Sequence, residues 1–229
     1  MLDVFGAGYS SGVPLFHTVG NHCLPAGRGV ALPLLLKGRF RETDAAFYRQ
    51  DLAPTNVSLL VLDTQAWAVE PLGVNSREWR SASDWLAQNS ERLPNAVKWN
   101  GGVTRAQLMW LDKQLRTLAS EHRRGIVVGH HPLVSVKSPR HTAWNGVEVL
   151  NALKRHTAAV ICYLCGHFHE GEVIRDATIA PFPLITSRGM VESYPRLIDG
   201  LVFEFLSSGQ IRVSNADASQ HDQRFSFVM

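Results

Sequence analysis

The chain has 229 residues, 45% of them hydrophobic and 19% charged, with a formal net charge of +3. That composition can bury one core and excludes a disordered chain, and no Lys/Arg block marks a nucleic-acid surface. No apolar run approaches the roughly 18 residues of a membrane span, and Met1 to Phe5 lacks the basic-then-apolar layout of a signal peptide. Cys23, Cys162 and Cys165 are too few and too uneven for a disulfide framework, so a reducing, cytoplasmic setting is expected.

In chain order, an apolar stretch from Val13 to Val19 runs into Gly20-Asn21-His22. Cys23 to Tyr48, with its glycines and Pro33, reads as a loop carrying a short helix around Arg41 to Phe47. Leu59 to Leu62 reads as a buried strand, and Ser76 to Leu93, marked by Trp79 and Trp85, as a helix. Thr104 is an N-cap for a helix reaching about His122, with Leu108, Leu111, Leu115 and Leu118 on one face. Then follow a strand at Ile126 to Val128 and a helix from Trp144 to Lys154, with Val147, Leu150 and Leu153 on one side. Strands at Ala159 to Leu164 and Pro183 to Ile185 come next, and then a hairpin of Leu201 to Phe205 with Ile211 to Val213. Strands alternating with helices imply an α/β layered domain, and no break in composition divides residues 1–229.

Three motifs share a layout. Gly20-Asn21-His22, Gly129-His130-His131-Pro132 and Gly166-His167-Phe168-His169 each place histidine after a glycine, just past an apolar run. Loops at the C-terminal ends of strands converge above a rigid sheet, which is where α/β proteins build sites. Imidazole is the commonest metal ligand, and an Asn carbonyl oxygen is a harder one. One Asn and several His from separate strand ends can therefore surround a divalent ion. His167 and His169, two residues apart, leave the same face of an extended segment and can serve one ion or two adjacent ones.

Asn21-His22, His130 and His167-Phe168-His169 resemble the last three motifs of the calcineurin-like metallophosphoesterase superfamily. Asn100-Gly101-Gly102, Gln107 to Leu111, Trp144-Asn145 and Gly189 to Pro195 resemble, within it, the manganese-dependent ADP-ribose/CDP-alcohol diphosphatases. The resemblance implies a layered fold of two β-sheets flanked by helices. It implies one metal on Asn21, His130 and His167, a second on His169, and His22 near the leaving group as general acid or phosphoryl stabiliser. Two divalent ions are implied for a complete domain, manganese foremost, with iron or zinc as alternatives.

Two departures stand out. Cys23 occupies a position that is usually acidic in the family. More importantly, none of the ten Asp residues is followed two positions on by His, and no Gly-Asp occurs, so the superfamily's first motifs and its bridging carboxylate are missing. Residues 1–229 are therefore expected to form a single metallophosphoesterase domain lacking its first strands. At most one ion is expected to be well held, and hydrolase activity to be low; Asp63 or Glu192 would be the fallback bridging carboxylate. The implied function is hydrolysis of nucleoside-diphosphate conjugates such as ADP-ribose or CDP-alcohols, with a small-molecule substrate and neither nucleic acid nor membrane as partner. The alternatives are a truncated or divergent inactive member acting as a one-metal binding scaffold, or a phosphoesterase acting on a phosphoprotein or cyclic nucleotide. The Cys162-x-x-Cys165 pair lies in a strand, where positions i and i+3 face opposite ways, so it reads as structural. His131 is a candidate contact behind the site, Glu170 a surface charge, and His17, His122, His141, His156 and His221 ordinary residues.

Overall fold

The computed structural model describes residues 14–36, 46–70, 76–189, 200–208, 210–215 and 225–228. A six-stranded sheet forms its centre, in the order β1 (Tyr48–Leu52), β2 (Val57–Val61), β5 (Arg124–Val128), β6 (Val160–Cys165), β8 (Leu184–Thr186), β7 (Glu172–Ile174). β2, β5, β6 and β8 run parallel to one another, and β1 and β7 pair antiparallel at the two edges. A three-stranded antiparallel sheet joins β9 (Leu201–Phe205), β10 (Gln210–Asn215) and β11 (Phe225–Val228). A two-stranded ribbon pairs β3 (Trp67–Ala68) with β4 (Gly101–Gly102).

The central strands are apolar on both faces because both faces are covered. On one, Leu60, Val127, Val160 and Tyr163 pack against Leu111, Leu115 and Leu118 of α3 (Arg105–Ser120) and Val149, Leu150 and Leu153 of α4 (Gly146–Lys154). On the other, Val57, Ile126, Ile161 and Ile185 meet Ile211 and Val213 of β10. The result is a small sheet, a large sheet and a helical layer. Full burial of each such side chain contributes about 1.5–3 kcal/mol. A satellite cluster around Val19, Leu24 and Leu32 holds α1 (Arg28–Leu35) in place.

Helix α3 starts where its sequence dictates, with the Thr104 hydroxyl accepting from the Gln107 N–H at 3.2 Å. Ser76 caps α2 (Arg77–Asn89) in the same way, accepting from the Trp79 N–H at 3.0 Å. Trp85 of α2 stacks on Trp144 with ring centroids 4.8 Å apart.

Four sequence expectations change. The apolar stretch before Gly20 is no strand over its described residues: 14–20 are irregular, and Asn21–Cys23 form a 3-10 turn. The region from Cys23 on holds a helix, α1, despite Pro33 inside it; Arg41 to Ala45 lie outside the described residues. The apolar face of α4 is rotated, since Val147 is 60% exposed while Val149 and Ala152 are buried. Helix α2 ends at Asn89, a turn before Leu93. Among the described residues no helix is long and apolar enough to cross a membrane.

Candidate metal centre

Two of the three motifs reach the site from neighbouring parallel strands. Val128 of β5 pairs with Leu164 of β6, so the chain leaves both strands at the same level. The ladder runs on briefly, with the Gly129 N–H donating to Leu164 O and the Gly166 N–H to His130 O, each at 3.0 Å. His130 and His167 are thereby delivered side by side. Asn21 arrives from the 3-10 turn and not from a strand end, its approach fixed by Gly20, which lies flat against the His130 ring.

The three side chains meet. His130 Nε2 lies 2.9 Å from Asn21 Oδ1 and 3.0 Å from His167 Nδ1. Donors bound to one ion at about 2.0–2.1 Å stand roughly 3 Å from each other, so these spacings suit a shared divalent ion. The donors themselves suit it too: burial lowers the pKa of His130 to about 4, with His22 and His169 adding repulsion, and that of His167 to about 2, with His130 adding to it. Both rings are neutral at physiological pH and offer lone pairs. An imidazole–amide set of this kind fits manganese, iron or zinc.

Histidines 130, 131 and 167 form the sole triple of His, Cys, Asp or Glu ligand atoms, all within 4.8 Å of one another, found among the described residues. His131 stands behind the other two. It is fully buried, its Nδ1 is 2.8 Å from Thr64 Oγ1, and its Nε2 accepts from Gln65 Nε2 at 3.2 Å. Burial, reinforced by His167 and His130, holds its pKa well below the ordinary value, so it is a neutral wall of the centre.

His22 and His169 are both exposed and line one cavity of about 520 Å³ together with Asn21, His130 and His167. Trp99, His141, Phe168 and Glu170 complete its lining, with the Trp99 and His141 rings beside that of His167. His141, read from sequence as an ordinary residue, stands with its ring 5.6 Å from that of His167 and 5.0 Å from Trp99, which also carries the Arg140 guanidinium at 5.7 Å. Trp99 reaches the cavity from a loop and His141 from a 3-10 turn (Pro139–His141), and neither has a local spacing that carries a signal.

Two glycines of the histidine motifs, Gly20 and Gly129, leave no room for a side chain. A Cβ on Gly20 would lie 2.7 Å from two atoms of the His130 ring, and one on Gly129 would lie 2.2 Å from Tyr163 Oη. That hydroxyl donates to His131 O at 2.7 Å, so it anchors the backbone of the motif. Gly166 meets nothing; the sharp turn there is made by His167 itself, at φ 65°.

The other candidates lie elsewhere. Asp63 is fully buried, ion-paired with Arg28, and accepts from the Gln65 N–H at 3.0 Å; it does not line the cavity. Glu192 lies outside the described residues. Cys162 and Cys165 are free, buried and on opposite faces of β6, and burial pushes each thiol up to about 12.

No family model matches the chain. It is 33% identical over 183 residues, 72% of its length, to a protein of Arabidopsis thaliana, and 35% identical over 212 residues, 80% of its length, to one of Danio rerio. Both are named manganese-dependent ADP-ribose/CDP-alcohol diphosphatase. The matches cover 56% and 63% of those two proteins, so the chain spans little more than half their length. The fold is similar to the crystal structure of a dimetal phosphatase from Danio rerio, with a TM-score of 0.80 at 25% identity over 93% of this chain and 73% of that one. By sequence and by fold, the chain is a relative of the manganese-dependent ADP-ribose/CDP-alcohol diphosphatases and has the calcineurin-like fold of a dimetal phosphatase.

Proposed function

We propose that this centre holds a divalent ion on Asn21, His130 and His167 and serves to hydrolyse nucleoside-diphosphate conjugates such as ADP-ribose or CDP-alcohols. The observation that carries the reading is the convergence of Asn21 Oδ1 and His167 Nδ1 on His130 Nε2, at 2.9 and 3.0 Å, among residues that line the cavity. A divalent ion held by Asn21, His130 and His167 would supply Lewis acidity toward a phosphoryl oxygen and would make water more acidic. The cavity is of the size that takes a small organic molecule. Exposed His22 on its wall can donate a proton to the bridging oxygen that leaves when water adds to phosphorus, giving a nucleoside monophosphate and a phosphate ester. The aromatic lining from Trp99 and Phe168 suits the apolar faces of such a ligand.

A one-metal scaffold is the second reading. It is favoured by the sequence, which contains neither an Asp-x-His pair nor a Gly-Asp, so that of the superfamily's motif ligands for the second ion only His169 is recognised. The two are separated by supplying the chain with Mn and measuring turnover of ADP-ribose, CDP-choline, a phosphopeptide and a cyclic nucleotide. Slow cleavage of a diphosphate, lost in His167→Ala, is the expected result. Mn binding without turnover of any compound selects the scaffold. Faster hydrolysis of the phosphopeptide or cyclic nucleotide overturns the substrate assignment.

A further inference from the structure

Asn100 lies just before β4 and is fully buried. Its amide nitrogen donates to two backbone carbonyls, Asn95 O at 2.9 Å and Arg140 O at 2.8 Å. Carbonyls only accept, so the orientation of the amide is determined and Oδ1 must point the other way. It points at His167, whose Nε2 is 2.9 Å distant. An amide oxygen cannot donate either, so Nε2 carries the ring proton. The lone pair of a neutral His167 is then forced onto Nδ1, the atom that faces His130 Nε2 at 3.0 Å.

We infer that Asn100 is a positioning residue, a buried amide that fixes the tautomer and the ring plane of His167 so that its Nδ1 lone pair faces the metal centre. The inference rests on the metal reading above. Metal-bound histidines commonly donate their second N–H to an oxygen acceptor, and loss of that acceptor typically lowers metal affinity about 10–100-fold. The backbone of His167 sits at φ 65°, a conformation that L-residues avoid, so its contacts must also hold the main chain in place. The support is rigid. Asn95 itself donates to Ala143 O at 2.9 Å, and the Trp144 N–H donates to Gly101 O at 2.8 Å, so the segment bearing Asn100 is laced to the one bearing Arg140 and His141.

Two measurements test it. Nitrogen–proton correlation NMR of the metal-free wild-type protein, which needs no substitution, is expected to show His167 wholly as the Nε2–H tautomer; the Nδ1–H tautomer would overturn the inference. Mn titration of wild type and Asn100→Ala, with melting curves alongside, is expected to show 10–100-fold weaker binding in a variant that stays folded. Its His167 spectrum is expected to show both tautomers. Wild-type affinity together with an unchanged tautomer in that variant would overturn the inference as well. Should the variant not fold, the wild-type spectrum decides. Failure of the wild type to bind Mn is a different result: it removes the metal reading, and the tautomer is still read from the spectrum.

Discussion

Gly20 has φ −107° and ψ 170°, extended backbone that any residue can adopt, so what excludes a side chain there is space alone. In Gly20→Ala the new Cβ would be 2.7 Å from Cε1 and Nδ1 of His130, about 0.7 Å inside the 3.4 Å at which ordinary contact begins. His130 has little room to retreat, because the rings of His131 and His167 each stand 4.9 Å from its own. Either the ring or the turn bearing Asn21 must give way, and both carry proposed ligands. Metal–donor distances tolerate only about ±0.2 Å. Mn affinity is therefore expected to fall at least tenfold, about 1.4 kcal/mol, with a further 1–3 kcal/mol of stability lost to overpacking. Titration followed by the signal of free Mn, with thermal melts alongside, measures both. Gly29→Ala is the control, since nothing lies within 4 Å of its Cβ; it should bind Mn as the wild type does. Wild-type Mn affinity in Gly20→Ala would refute the reasoning, for His130 would then not need the position it occupies.

Three further outcomes are expected. Cys162 and Cys165 have folded pKa values raised from 9.0 to about 12, so above pH 9 the unfolded chain releases protons that the folded one keeps; stability held below pH 9 should fall by about 1.4 kcal/mol per pH unit per thiol as pH rises toward 12. Urea unfolding at pH 9, 10 and 11 checks this, and Cys162→Ala should remove one thiol's share of the slope. Leu115→Ala, at a fully buried position of α3, should cost about 2–5 kcal/mol in denaturant melts and leave Mn stoichiometry unchanged. Supplied with excess Mn, residues 1–229 should turn over diphosphates far more slowly than a relative with all the superfamily's motifs, in a side-by-side assay at equal protein.

The parallel strands of the central sheet were legible because two-sided burial writes itself as uninterrupted apolar runs, as in Val160 to Cys165. Edge strand β1, Tyr-Arg-Gln-Asp-Leu, carries no such run and exists because it pairs with β2, a tertiary cause that local composition does not record. Residues 14–19 show the reverse: largely apolar, they are irregular, and Val19 packs into a satellite cluster. At the site, Asn21, His22, His130, His167 and His169 could be picked out because each sits in a short motif with glycine. Asn100, Trp99 and His141 could not be assigned roles, because Asn100 and Trp99 come from a loop and His141 from a short 3-10 turn, and the function of each depends on the acceptor or ring that the fold brings to it. Pro33 argued against a helix that burial of Ala31 and Leu32 nevertheless sustains.

The most direct test of the metal centre is a count of Mn bound per chain for the wild type, His130→Ala, His167→Ala and His169→Ala. One tightly bound ion is expected in the wild type, none in His130→Ala or His167→Ala, and one still in His169→Ala. No ion in the wild type, or one that survives loss of both His130 and His167, would contradict the assignment of this centre to Asn21, His130 and His167.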